Sequence, residues 1–184
     1  FLFFASNAAI LPFLNILFRQ AGLTAAQIGV IAALRPWLSA PSAYAWGALA
    51  DRLSLHRTFF IVSFIICVAS RAIVSVPQLL FPPELTFWGV MFAIVVSEMM
   101  FNPGMILVDA AVVASLEDFR TYGRVRMWGS AGWGVSASII GTIIDRYGYW
   151  AAWGIHWAGS TVTLIVGILV VPFQLLRMTQ RRGT

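Results

Sequence analysis

Six stretches of the chain, residues 1–18, 27–50, 58–76, 86–112, 124–144 and 149–171, are apolar over the length of about 20 residues that a helix needs to cross a hydrocarbon core of about 30 Å. Backbone in lipid must satisfy its own hydrogen bonds, so each stretch is expected to be a helix and not a buried strand. The short connections make neighbouring helices antiparallel. Composition agrees, with 60% hydrophobic and 10% charged residues where a soluble domain has roughly 45–50% and about 25%. That balance excludes disorder and argues against a water-soluble globule.

The 12 basic residues are all arginine and stand against 7 carboxylates, a net charge of +5. They are dispersed between apolar runs and form no basic face, so nucleic acid is not an expected partner. Cys67, the single cysteine, excludes an intrachain disulfide and a cysteine-cluster metal site, and no cofactor is expected. The opening Phe1-Leu2-Phe3-Phe4 has neither an initiator methionine nor a basic flank. It does not resemble a signal peptide, and suggests a chain cut at or just inside its first membrane segment.

Direction follows from the arginines. Arg52, Arg57, Arg120, Arg124, Arg126, Arg177, Arg181 and Arg182 fall on one side of the expected membrane, and only Arg19 and Arg146 on the other. The positive-inside rule therefore places both termini in the cytoplasm, and the plasma membrane is the expected location. Arg35, Arg71 and Glu98 lie within spans, where a charge costs about 2.5–3.5 kcal/mol on insertion scales and usually faces a bundle interior or a wet cavity. They are candidates for an intramembrane charge or coupling role. Arg71, about five residues from its helix end, has snorkelling as an equal alternative.

Gly47-Ala48-Leu49-Ala50-Asp51-Arg52 closes the second span and Gly141-Thr142-Ile143-Ile144-Asp145-Arg146 the fifth, on opposite sides of the membrane. An inverted repeat of three plus three helices produces this echo, although glycine, aspartate and arginine are also ordinary helix-stop residues. The expected fold is all-α and integral to the membrane. It comprises a six-helix bundle over residues 1–172, with triplets 1–76 and 86–172, followed by the start of a cytoplasmic central loop at 173–184.

The hairpin between spans four and five carries the chemistry. Asp109 and Arg126 are equally far from its centre between Glu117 and Asp118, so antiparallel helices would set them at similar depth. Opposite charges about 4 Å apart attract by about 4 kcal/mol at an effective dielectric near 20, before desolvation. A carboxylate and a guanidinium together suit a polyhydroxylated ligand. Trp133, seven residues after Arg126 and so on the same helix face, offers a plate for a sugar or base ring. Small residues from Gly129 to Gly141 let backbones approach closely. The plainer alternative is that the charges mark the membrane boundary and Trp133 packs against a neighbour.

The segment from Gly47 to Arg57 resembles the signature loop between helices two and three of major facilitator superfamily transporters, with Ser54 and His56 standing where that pattern has glycine and a basic residue. Phe101-Asn102-Pro103-Gly104 leading to Val108-Asp109-Ala110, with Tyr122-Gly123-Arg124-Val125-Arg126-Met127-Trp128-Gly129 and on to Trp133, resembles the lactose-permease branch and its MFS-1-like relatives. The similarity covers the chain as an N-terminal six-helix half of a twelve-helix fold. It implies substrate-binding roles for Asp109, Arg126, Trp133 and Asn102, and a conformational, gating role for Gly47, Asp51, Arg52 and Arg57. Asp109 is one methylene shorter than that branch's glutamate. The resemblance further implies proton-coupled symport of a small polar solute, of sugar or nucleoside type, by alternating access. A second six-helix half would complete the transport cycle.

Two other classes are consistent with the same spans. A transporter-fold receptor or scaffold has no need of the Asp109, Arg126 and Trp133 set. An intramembrane serine hydrolase would use Ser130 and His156, but Gly129-Ser130-Ala131-Gly132 is not the Gly-x-Ser-Gly of such proteases. The expectation is therefore a transporter unit and not an enzyme.

Overall fold

The computed structural model describes residues 1–53, 56–116 and 118–170, so the expected loop at 173–184 lies outside the described residues. All regular structure among them is helical: α1 Leu2–Ala8, α2 Leu14–Gln20, α3 Ala25–Leu53, α4 His56–Ser75, α5 Pro77–Leu80, α6 Pro83–Ser115, α7 Tyr122–Tyr147 and α8 Tyr149–Val170. Four segments are long and apolar enough to cross a membrane, namely Leu2–Gln20, Thr58–Ser75, Pro83–Ala110 and Tyr149–Leu169. The other two expected spans fall on the 29-residue α3 and the 26-residue α7, which are helical but are not among those four. Their polar content keeps them out of that set: α3 contains Arg35, Ser39 and Ser42, and α7 carries arginine near both ends and glycine and serine between.

Local chemistry sets several boundaries. Thr24 and Gln27 form a capping box ahead of α3, with the Gln27 amide donating to Thr24 Oγ1 at 3.3 Å and the Thr24 amide to Gln27 Oε1 at 2.9 Å. The first span is broken, because Pro12 has no N–H to return to the Ala8 carbonyl. The chain makes a 3-10 turn at Leu11–Phe13 before α2 resumes. Gly148, at φ 79, joins α7 to α8 in a backbone conformation that L side chains rarely adopt.

The chain divides into two compact units, one of Phe1–Leu14 with the chain from Ala110 onward, the other of Asn15–Asp109. In the first, α1 packs on α7 and α8, and α7 on α8. Glycines make this approach possible: a Cβ on Gly159 would sit 2.9 Å from the Ser6 Cβ, and one on Gly129 3.0 Å from the Phe4 ring. Gly159→Ala is expected to destabilise this unit by roughly 1–3 kcal/mol through overpacking. Gly154→Ala, where a Cβ meets nothing within 4 Å, is the control in thermal unfolding of the detergent-solubilised protein.

Two helices bury polar faces and expose aliphatic ones, unlike helices on a water-soluble protein's surface. On α8 the face of His156, Ser160 and Thr163 is buried, while Val162, Ile165, Val166 and Leu169 are exposed. On α4 the buried face holds Ser63, Cys67, Ser70 and Arg71, and the exposed one Val62, Ile65 and Ile66. Exposed aliphatic stripes around polar interiors are stable only when hydrocarbon covers them. The protein is integral to the membrane.

Candidate functional site

Within the Asn15–Asp109 unit, α6 presents two polar faces. Ser97 and Phe101, four residues apart, meet α4: Arg71 Nε donates to Ser97 Oγ at 3.0 Å, and the Arg71 guanidinium carbon lies 5.0 Å from the Phe101 ring centre. Cys67 Sγ is 3.6 Å from the same Ser97 hydroxyl. Arg71 is only 2% exposed, so it turns inward and does not snorkel to the membrane surface. The hydroxyl and the ring face that receive it supply the reason.

Glu98 and Asn102, also four apart, form the second face. Arg35 of α3 donates from Nε to Glu98 Oε1 at 2.7 Å, and the Glu98 side chain is 8% exposed against 27% for Arg35. The three intramembrane charges flagged in the sequence are thus divided between two neighbouring faces of one helix. Asn102 donates one amide N–H to the Glu98 carbonyl at 2.8 Å, which ties the side chain to its own helix and leaves its second N–H and its oxygen to address a solute. Asp109 follows on the same stripe, eleven residues or three turns beyond Glu98, and is half-buried.

An apolar cleft of about 400 Å³ opens beside this region, walled by Trp37, Pro41, Trp46 and Met99 among others. Its lining offers a polar solute almost no hydrogen-bonding partner, so the polar stripe of α6 is the better candidate surface.

The other unit holds Arg126 and Trp133 on α7, both half-buried. The Arg126 guanidinium carbon lies 4.4 Å from the ring centre of Phe4 on α1. Such a cation–π contact is worth about 0.5–2 kcal/mol and fixes the plane of the fork. Trp133 stands two turns along the same helix face. Asp109 closes one unit while Arg126 and Trp133 belong to the other.

The remaining candidates are placed more simply. Helix α3 runs through Leu53, so Gly47, Asp51 and Arg52 sit in its last turns and not in a loop. Arg52 is exposed, whereas the side chains of Asp51 and Arg57 lie outside the described residues. Ser130 is exposed on α7, and His156 is fully buried, donating from Nδ1 to the Ser6 carbonyl at 2.8 Å. Sequence reasoning missed Phe4, Ser97 and Phe101. Ser97 and Phe101 flank Glu98 at helical spacings, a signal visible only once Arg71 is known to turn inward.

The family model described as the MFS_1 like family matches residues 1–182. No curated protein and no solved structure matches the chain.

Proposed function

We propose, from the premise that the chain belongs to the MFS_1 like family and so to the major facilitator superfamily, that it forms the N-terminal half of a secondary transporter. Its mode is proton-coupled symport of a small polar solute, of sugar or nucleoside type, by alternating access with a second six-helix half. Both termini are on the cytoplasmic side of the plasma membrane. The observation that carries the reading is α7, where Arg126 is held by Phe4 with Trp133 two turns along the same face. In this reading Asp109 and Arg126 share the solute's hydroxyls, Trp133 stacks on its ring, and the Asn102 oxygen accepts from it. The segment around Gly47, Asp51, Arg52 and Arg57 governs the exchange between conformations.

The inverted-repeat plan is part of the same proposal, and two features support it. One compact unit joins the first 14 residues of span one to spans five and six, and the other joins span four through Asp109 to spans two and three. Exchanging the two triplets leaves this grouping unchanged. The leading helices also carry Ser6-Asn7 with Pro12 and Ser97-Glu98 with Pro103 at equal spacing. The Ser6 carbonyl meets His156 of the sixth span, and the Ser97 hydroxyl meets Arg71 of the third, so each leading helix bonds the last helix of the other triplet, through different atoms and at different registers.

The test is uptake by full-length protein in vesicles carrying an inward proton gradient, against a panel of labelled sugars and nucleosides. One class of solute is expected to accumulate. Trp133→Phe is expected to keep part of that uptake and Trp133→Ala to abolish it, because any aromatic face stacks on a ring and a methyl group does not. Uptake unaffected by Trp133→Ala would make the tryptophan a packing residue.

A further inference from the structure

We propose that Glu98 is the group that carries the coupling proton, with Arg35 as its counter-charge while it is ionised; this assignment rests on the symport reading above. Glu98 lies near the middle of the 33-residue α6, fifteen residues from its start, or about 22 Å along the axis. Its side chain is 8% exposed. A permanently ionised carboxylate at such a position is expensive, and one that alternates between charged and neutral has a use there.

The pairing geometry fits that alternation. Arg35 reaches Glu98 through a single bond, Nε to Oε1 at 2.7 Å, and not as a two-point fork. Oε2 therefore keeps the lone pair to which a proton adds. Other charged or titratable groups approach from α4 alone among the described contacts. Arg71 and Cys67 both address the Ser97 hydroxyl, one residue away. Asn102, on α6 itself, binds the Glu98 backbone carbonyl. Arginine does not release its proton in proteins, so Glu98 is the member of the pair that changes charge.

The step balances simply. A proton from water at one face of the membrane adds to Oε2, the carboxylate becomes a neutral acid, and the Arg35 charge loses its partner. Release of that proton to water at the other face restores the pair. Helix α3 is built to respond, because Pro36 directly follows Arg35 and Pro41 lies five residues further on. Each proline removes an N–H from the helical ladder and permits a bend at the level of the charge. Glu98, Asn102 and Asp109 share one stripe of α6, so the same rigid element bears the proton and the proposed solute carboxylate.

Full-length protein in lipid vesicles can be examined by infrared difference spectroscopy while the buffer is switched between acid and alkaline. A protonated-carboxyl component is expected in the wild-type difference spectrum that is lost in Glu98→Gln, displaced but retained in Glu98→Asp, and kept in Glu84→Gln, beside the signals of the other carboxylates. Arg35→Gln is expected to alter that component, because the bonded counter-charge at Oε1 is gone. A Glu98→Gln difference spectrum identical to the wild type overturns the assignment, and an Arg35→Gln spectrum identical to the wild type overturns the counter-charge. Trp133→Ala should leave the component intact, so failure of the solute reading is separable from failure of this one. Proton-driven accumulation that persists in Glu98→Gln also overturns it.

Discussion

Arg35→Ala, made alone, is expected to lower stability by about 3–5 kcal/mol, whereas the double variant Arg35→Met with Glu98→Met recovers most of that loss. The pair is joined at 2.7 Å, and its carboxylate side chain is 8% exposed. Removing the guanidinium leaves a nearly buried carboxylate that must either stay charged without its partner or take up a proton, and both cost stability. Removing both members strands nothing and returns apolar volume. The converse single change, Glu98→Ala, should be milder, because the Arg35 side chain is 27% exposed and has a long stem with which to find solvent or a headgroup. The order of losses, Arg35→Ala above Glu98→Ala above the double variant, is read from unfolding midpoints in mixed micelles. Equal losses in all three would mean that the side chains matter for volume and not for charge.

That ordering depends on knowledge that no hydropathy pattern contains. Apolar length located the long helices, four of which are apolar enough to cross a membrane, because burial in hydrocarbon acts on about twenty residues at once. Rotation about each helix axis is decided by one or two contacts. Arg35 and Glu98 were both conspicuous as intramembrane charges, yet they stand 63 residues apart and nothing in the sequence paired them. Arg71 lay close enough to its helix end to snorkel. A serine hydroxyl at 3.0 Å and the Phe101 ring face decided otherwise.

The break in the first span was similarly hidden. Pro12 signalled it, but proline in a membrane helix is often accommodated without a break when neighbours satisfy the freed groups. Here a 3-10 turn at Leu11–Phe13 follows the proline's lost bond. Helix α3 also ran past its expected end at Ala50 to Leu53, since nothing at Asp51 or Arg52 prevents helical continuation. On the candidate site, the helix that carries Arg126 and Trp133 and their shared face were legible from their spacing. The Phe4 ring that holds Arg126 was not, because it comes from the far end of the chain.

Neutralising either proposed solute charge should have the largest functional effect. Asp109→Asn and Arg126→Gln are each expected to weaken solute binding by about 2–5 kcal/mol, or roughly 30- to 5,000-fold, the usual consequence of neutralising a charged group that hydrogen-bonds a ligand. Arg126→Lys should fail nearly as badly, since a point charge on a flexible stem neither forks onto two hydroxyls nor lies flat on the Phe4 ring. Asp109→Glu should be tolerated, because it keeps the acceptor and adds one methylene, as in the lactose-permease branch that this hairpin resembles. Arg120→Gln is the control: Arg120 is exposed in the turn ahead of α7, and its loss should shift binding by no more than about 0.5 kcal/mol. Equilibrium binding of the solute found in the vesicle panel, measured on detergent-solubilised protein, separates affinity from transport rate. Similar losses at Arg120 and Arg126 would reduce both to contributors of long-range potential. A selective loss at Arg126 and Asp109, with unfolding midpoints unchanged, places both side chains on the solute itself.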